Sequence, residues 1–219
     1  MGKRKINWVV WVSYLVILVF MGYIVVFYGL HDPRKADMVS GKFGNPGFTY
    51  QTWKLFFYFH IVTGSIALIL GPFQFLKISR KKIKMHRTIG KIYVASIFLS
   101  VPAGVYLAFY ATGGIGSTIG FIFLDITWLV TTFIGLQRIR ERNLQSHQEW
   151  MIRSYAVTVV FITFRLIMPI FVFLFHLGYP IGFPLAVFVS MIINLSLAER
   201  YLKKNRKGTI NNGSYYLKV

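Results

Sequence analysis

Three strongly ionisable side chains, His60, Asp125 and Arg165, stand inside long runs of apolar residues. A charged group at the centre of a lipid bilayer costs about 2.5–3.5 kcal/mol on insertion scales, so each should face a protein interior and find a partner there. A carboxyl and a guanidinium at matching depth can form an ion pair or part of a proton path. An imidazole beside them can exchange a proton or ligate a metal. Two further histidines, His86 and His147, lie in basic segments close to later apolar runs. Neutral imidazoles from different helices can ligate a haem iron axially, so His60, His86 and His147 are the candidate metal ligands of the chain. Arg165 and Asp125 would then hold propionates, a quinone oxygen or a proton.

The elements that must position these groups follow from composition. Of the 219 residues, 55% are apolar and 14% charged, too little polar surface to cover a water-soluble globule. Runs of roughly 20 apolar residues, enough to cross the hydrocarbon as a helix, fall at about 8–30, 55–76, 89–111, 118–137, 155–176 and 180–198. The expected fold is an all-α, polytopic membrane bundle of six transmembrane helices over 1–202, followed by a basic, disordered tail at 203–219. The N-terminal run continues without a small-residue cleavage site, so it reads as a retained first helix rather than a removed leader.

Lys and Arg in the intervening segments divide nineteen to four between the two faces. That asymmetry predicts a cell-membrane protein with both termini cytoplasmic. The net charge of +19 is explained by topology and by contact with anionic lipid headgroups, so nucleic acid is not an expected partner. The chain has no cysteine, which excludes disulfides, thiol catalysis and Cys-ligated metal. There is no Ser-centred elbow, no His-Glu-x-x-His and no phosphate-binding loop, so hydrolase and nucleotide chemistry have no support.

Depth can be estimated at 1.5 Å per residue. Asp125 lies about seven residues, Arg165 about eleven and His60 about five from the same-side ends of their spans, all in the half nearer the exterior. An Asp125–Arg165 ion pair with His60 nearby is therefore expected. His86 and His147 share the cytoplasmic side. If the fifth helix starts early enough to include His147, that residue and Arg165 are 18 positions apart, five full turns, and share a face. His60, Gly64, Ala67, Gly71 and Gln74 form one stripe along the second helix, where small residues admit a close backbone or a flat ligand. Trp8, Trp11, Trp53 and Trp150 fall at span boundaries, as an interfacial belt would. Trp128 lies inside the membrane, one turn from Asp125. Short links at 112–117 and 178–180 predict helices three and four, and five and six, as antiparallel neighbours.

The pattern His60-x3-Gly64-x6-Gly71-Pro72-x-Gln74-Phe75, then Met85-His86-Arg87-x2-Gly90-x2-Tyr93, resembles a bacterial family of multi-pass membrane proteins of unknown function. The segment from His147 to Ala156, with Arg165 downstream, is similar to a second signature of that family. In a looser way the histidines on successive helices resemble transmembrane b-type cytochromes, which implies haem b and membrane electron transfer. Three functional classes follow: a redox protein binding haem or a quinone-like small molecule, a proton-coupled transporter using Asp125, and a non-catalytic factor binding lipid or a protein partner.

Overall fold

A computed structural model describes residues 8–31, 34, 39, 41–45 and 47–211. Lys3-Arg4-Lys5, Pro33, Pro46 and the tail beyond Asn211 lie outside the described residues. Among those described, every regular element is helical. Helix α1 (Trp8–Ile24) continues into a π-helical stretch, Val25–Leu30. It is followed by α2 (Tyr50–Gln74), the short α3 (Lys77–Lys81), α4 (Ile83–Ala108) and α5 (Ile115–Arg140). The fifth span is built from α6 (Leu144–Thr158), α7 (Val160–Pro169) and a π-helical stretch, Ile170–Leu174, before α8 (Gly178–Asn211). Six stretches are long and apolar enough to cross a membrane: Val10–Leu30, Tyr50–Gln74, Ile83–Ala108, Ile115–Arg140, Leu144–Leu174 and Gly178–Arg206.

Hydrocarbon as solvent accounts for the surface. Leu18, Ile115 and Leu174 are each at least 70% exposed, a waste of apolar area in water and none in lipid. The expected contacts between α4 and α5, and between α7 and α8, are present. At the first of these turns Gly113 adopts φ +96°, and a Cβ there would lie 2.7 Å from the Tyr179 carbonyl, so only glycine fits.

Two elements run well past their expected limits. The fifth span starts at Leu144 rather than 155, and α8 reaches Asn211, into the stretch read as a tail. Hydropathy reports the thickness of hydrocarbon, whereas the helix continues into the polar layer wherever its ends are satisfied. Asn143 caps α6 by accepting from the Ser146 amide at 3.0 Å. Arg153–Glu199 (2.5 Å) and Arg206–Glu149 then tie α6 to α8 beyond the apolar region.

A buried hydroxyl network joins three helices at the centre. Tyr93 Oη on α4 bonds Ser154 Oγ (2.9 Å) and Thr158 Oγ1 (3.1 Å) on α6. Trp128 Nε1 on α5 donates to Thr158 Oγ1 (2.9 Å), and Thr132 Oγ1 bonds Ser154 Oγ (2.8 Å). Thr158 also donates back to the Ser154 carbonyl at 3.0 Å, a local bond that bends helices. Regular α-helix is interrupted directly afterwards, at Val159. The five-turn register between His147 and Arg165 is therefore broken midway: His147 bonds the Gly135 carbonyl on α5, whereas Arg165 faces Phe20 on α1.

The stripe on α2 is a packing surface along most of its length. His60 meets Ser100, Gly64 lies against Phe161, Ala67 is fully buried, Gly71 takes the Tyr155 ring and Gln74 lies beside Gly90. No room remains at Gly71, where a Cβ would overlap Tyr155, but at Gly90 the nearest atom is Gln74 Oε1 at 3.6 Å. Gly71→Ala is expected to destabilise the bundle by about 1–3 kcal/mol through overpacking. Gly90→Ala should be neutral or stabilising, since alanine is the better helix former. Melting of both variants in detergent, followed by fluorescence, checks this; equal melting temperatures would sink the packing account.

Candidate functional site

Above the hydroxyl network, toward the end of the bundle opposite the basic segments, the helices part around a chamber of about 180 Å³. Its wall is mostly apolar and rich in aromatic residues, with Trp53, Phe57, Trp128, Phe161 and Phe164 among the rings. Trp128 is fixed by its bond to Thr158, and Trp53 stacks on Phe57 with centroids 4.6 Å apart. Trp53 is thus 4% exposed and belongs to the chamber, not to an interfacial belt. A 150 Å³ apolar cavity is known to hold one benzene molecule, so this chamber accommodates about one ring with a small substituent.

The structure brings His60, Asp125 and Arg165 into this one chamber, as their depths suggested. It does not pair Asp125 with Arg165. Among the described residues the ion pairs are Arg138–Glu141, Arg153–Glu199 and Arg206–Glu149, all at the basic end. The reason is the direction each side chain takes. Arg165 turns toward α1, donating to the Phe161 carbonyl (3.3 Å) with its guanidinium 5.5 Å from the Phe20 ring centroid and beside the Tyr23 hydroxyl. Asp125 turns toward α4, where Gly104 makes room: a Cβ at 104 would be 2.5 Å from Asp125 Oδ2. The carboxyl is 6% exposed and has no hydrogen bond or ion pair among the described residues. Buried polar groups of this kind are ordinarily satisfied, so an unpartnered carboxyl facing a cavity marks a place for a ligand donor or a proton.

His60 is held by Ser100, whose Oγ and carbonyl oxygen each lie 3.0 Å from Nδ1. Ser100 Oγ itself donates to the His60 carbonyl at 3.3 Å. Nδ1–H is then the donor toward Ser100, and Nε2 keeps its lone pair.

His86 and His147 belong to a separate level. His86 Nδ1 bonds Ser79 Oγ (3.1 Å), and His147 Nδ1 donates to the Gly135 carbonyl (2.7 Å). His147 is close enough to His86 for its charge to be felt there. Neither can share an iron with His60: Ser100, beside His60, is 14 residues along α4 from His86, about 21 Å at helical rise. Among the described residues no group of three or more His, Cys, Asp or Glu is placed to hold a metal ion. The chamber is also smaller than the 300–1,000 Å³ usual for sites that enclose a large organic ligand. The reading of His60, His86 and His147 as joint haem ligands thus finds no support in the arrangement of these side chains.

Sequence reasoning missed three participants. Gly104 and Ser100 act through position alone, and nothing in their local sequence marks them. Lys42 carried a signal, since it is one of four cations in the segments on its side of the chain. Its Nζ donates to the Tyr110 carbonyl, lies 3.4 Å from Thr112 Oγ1 and sits 5.8 Å from the Trp53 ring centroid, closing the outer end of the chamber.

Six membrane-crossing helices surrounding a chamber define an integral membrane protein with an interior polar site. The chain belongs to the family described as Predicted membrane protein (DUF2306), whose model matches residues 57–202. That match includes His60, His86, Asp125, His147 and Arg165, but neither α1 nor Lys42. No curated protein and no solved structure matches the chain.

Burial pulls the Lys42 ammonium from 10.5 down to about 8. Below pH 8 both folded and unfolded chains hold this proton and the burial penalty is fully present. Between about 8 and 10.5 the unfolded chain binds the proton more often than the folded one, so stability attributable to Lys42 rises with pH. Comparing thermal stability of the wild type and Lys42→Met from pH 7 to 10 isolates this contribution. The wild-type curve should gain on the variant above pH 8; parallel curves would show that Lys42 is not buried.

Proposed function

We propose that the chain is a proton-linked small-molecule binding protein of the carrier class, seated in the cell membrane with its basic end and both termini cytoplasmic. The orientation follows from the positive-inside asymmetry, and it places the chamber in the outer half of the bilayer. The observation that carries the reading is the unpartnered Asp125 carboxyl, facing a ring-sized aromatic chamber that also holds Arg165 and His60. An intramembrane ionisable group left without a protein partner is the usual mark of a substrate or proton pathway.

Two further features favour a carrier over a static receptor. The chamber is flanked by segments that depart from regular α-helix, the π-helical Val25–Leu30 and Ile170–Leu174 and the interruption at Val159. Such irregularities recur at functional hinges. Moreover, the first span forms one wall yet is far less buried than the other five. A wall so lightly held can move without dismantling the core.

Benzyl alcohol, one ring with a hydroxyl, is expected to quench the fluorescence of Trp53 and Trp128 saturably in the detergent-purified chain. Leu107→Trp, which fills the chamber, should abolish the effect. Binding should depend on pH in the wild type and lose that dependence in Asp125→Asn. A variant with unchanged pH dependence would remove Asp125 from the proposed role.

A further inference from the structure

We infer that the molecule taken by this chamber is a small organic monoanion, an aromatic or short-chain carboxylate, that binds together with one proton. This deepens the proposed function and rests on it. The charge around the chamber supplies the first argument. The formal charges among the described lining residues are Lys42 and Arg165 on one side and Asp125 on the other. The sum is positive whether Asp125 is ionised or carries a proton, so an anion lowers it and a cation raises it.

The second argument is the state of Arg165. A guanidinium has five N–H donors in a planar fork that matches a carboxylate edge to edge. Here it donates to one backbone carbonyl, lies over the Phe20 ring and beside the Tyr23 hydroxyl, and has no carboxylate partner among the described residues. An arginine at membrane depth ordinarily finds a counter-charge in the protein. Among the described residues the acids that form ion pairs, Glu141, Glu149 and Glu199, are all at the other end of the bundle. The missing counter-charge is supplied by the ligand.

Size and surroundings narrow the class. About 180 Å³ matches one ring and its carboxylate. The body of the ligand would rest among Trp53, Trp128 and Phe161, whose faces and edges suit an aromatic ring. Lys42, at the outer end, adds a positive field that raises the local concentration of anions before they enter.

Proton coupling follows from the other carboxyl. A ligand carboxylate on Arg165 brings a second negative charge into a chamber that already holds Asp125, and two carboxylates sharing a site do not both stay ionised. The titratable groups facing Asp125 and the chamber are His60 from α2, Arg165 from α7, Lys42 and Tyr110 from the loops and Tyr28 from the π-helical stretch after α1, with Tyr23 of α1 beside Arg165. From α4 the chamber meets Gly104, Leu107 and Ala108, and from α8 Phe183; neither element contributes a charge. Proton and anion entering together leave the chamber's net charge as it was, so the exchange is electroneutral.

The test uses the full-length chain in detergent and three probes built on one ring: benzoate, benzamide and benzylamine. Tryptophan fluorescence reads binding, and a pH-indicator dye in weak buffer reads proton uptake. Benzoate should bind at least about tenfold more tightly than benzamide, which is about 1.4 kcal/mol, with one proton taken up per benzoate. Arg165→Gln should lose that preference while still binding benzamide. Arg165→Lys, which keeps the charge without the fork, should retain part of it, and Lys42→Met should slow benzoate association. These two variants carry the test if Arg165→Gln does not fold. Equal binding of benzoate and benzamide, or tighter binding of benzylamine, would overturn the anion inference and leave the chamber as a binding site. Failure of all three probes on folded wild-type protein would overturn the proposed function and this inference together.

Discussion

The Thr158 hydroxyl is the point on which the interior of this bundle turns. It accepts from Trp128 on α5, bonds Tyr93 on α4 and donates back to Ser154 on its own helix, so one oxygen fixes the relation of three spans. In lipid there is no hydrophobic force to bring these helices together, and each such bond contributes only about 0.6 kcal/mol on average. Its value is geometric. The bond to Trp128 orients the indole that floors the chamber, and the back-bond to Ser154 precedes the break at Val159 that turns Arg165 away from the His147 face. Chamber and cation are placed by the same side chain.

Room for that chamber comes from the distribution of small residues. Where glycine meets a ring, as Gly71 meets Tyr155, two helices close on each other and the space is filled. Where glycine meets a carboxyl, as Gly104 meets Asp125, the space is given to a group with nothing to bond. One device therefore serves both to seal the lower half and to seat an ionisable side chain in the upper half. A single methyl at position 104 would compete directly with the Asp125 carboxyl for the same volume.

Much of this was legible in the amino-acid order. Six spans follow from hydropathy because the bilayer imposes one length on every crossing. The gathering of His60, Asp125 and Arg165 follows from the cost of leaving any of them in lipid. What hydropathy could not register is where a side chain points. The expected Asp125–Arg165 pair fails because one residue faces α4 and the other α1, a matter of helix rotation to which hydropathy is blind. Likewise the placement of His86 and His147 a full helix half away from His60 depends on which turns of α2 and α4 lie side by side. Lys42 was hidden by lying in a loop, where a cation normally needs no explanation; only its burial over Trp53 gives it one.

The two ends of the molecule solve the problem of charge in opposite ways. At the basic end, carboxylates are spent on structure: Glu149 and Glu199 clamp α6 to α8, and Glu141 closes the turn after α5. At the other end Asp125 is left unbonded and Arg165 has no carboxylate partner among the described residues. A bundle that needed Asp125 only for stability would be better served by an apolar residue of similar size, because a buried ion pair seldom repays its desolvation and an unpaired charge never does. That the chain keeps both Asp125 and Arg165 in one small cavity, unpaired, is intelligible if their partners arrive from outside and leave again.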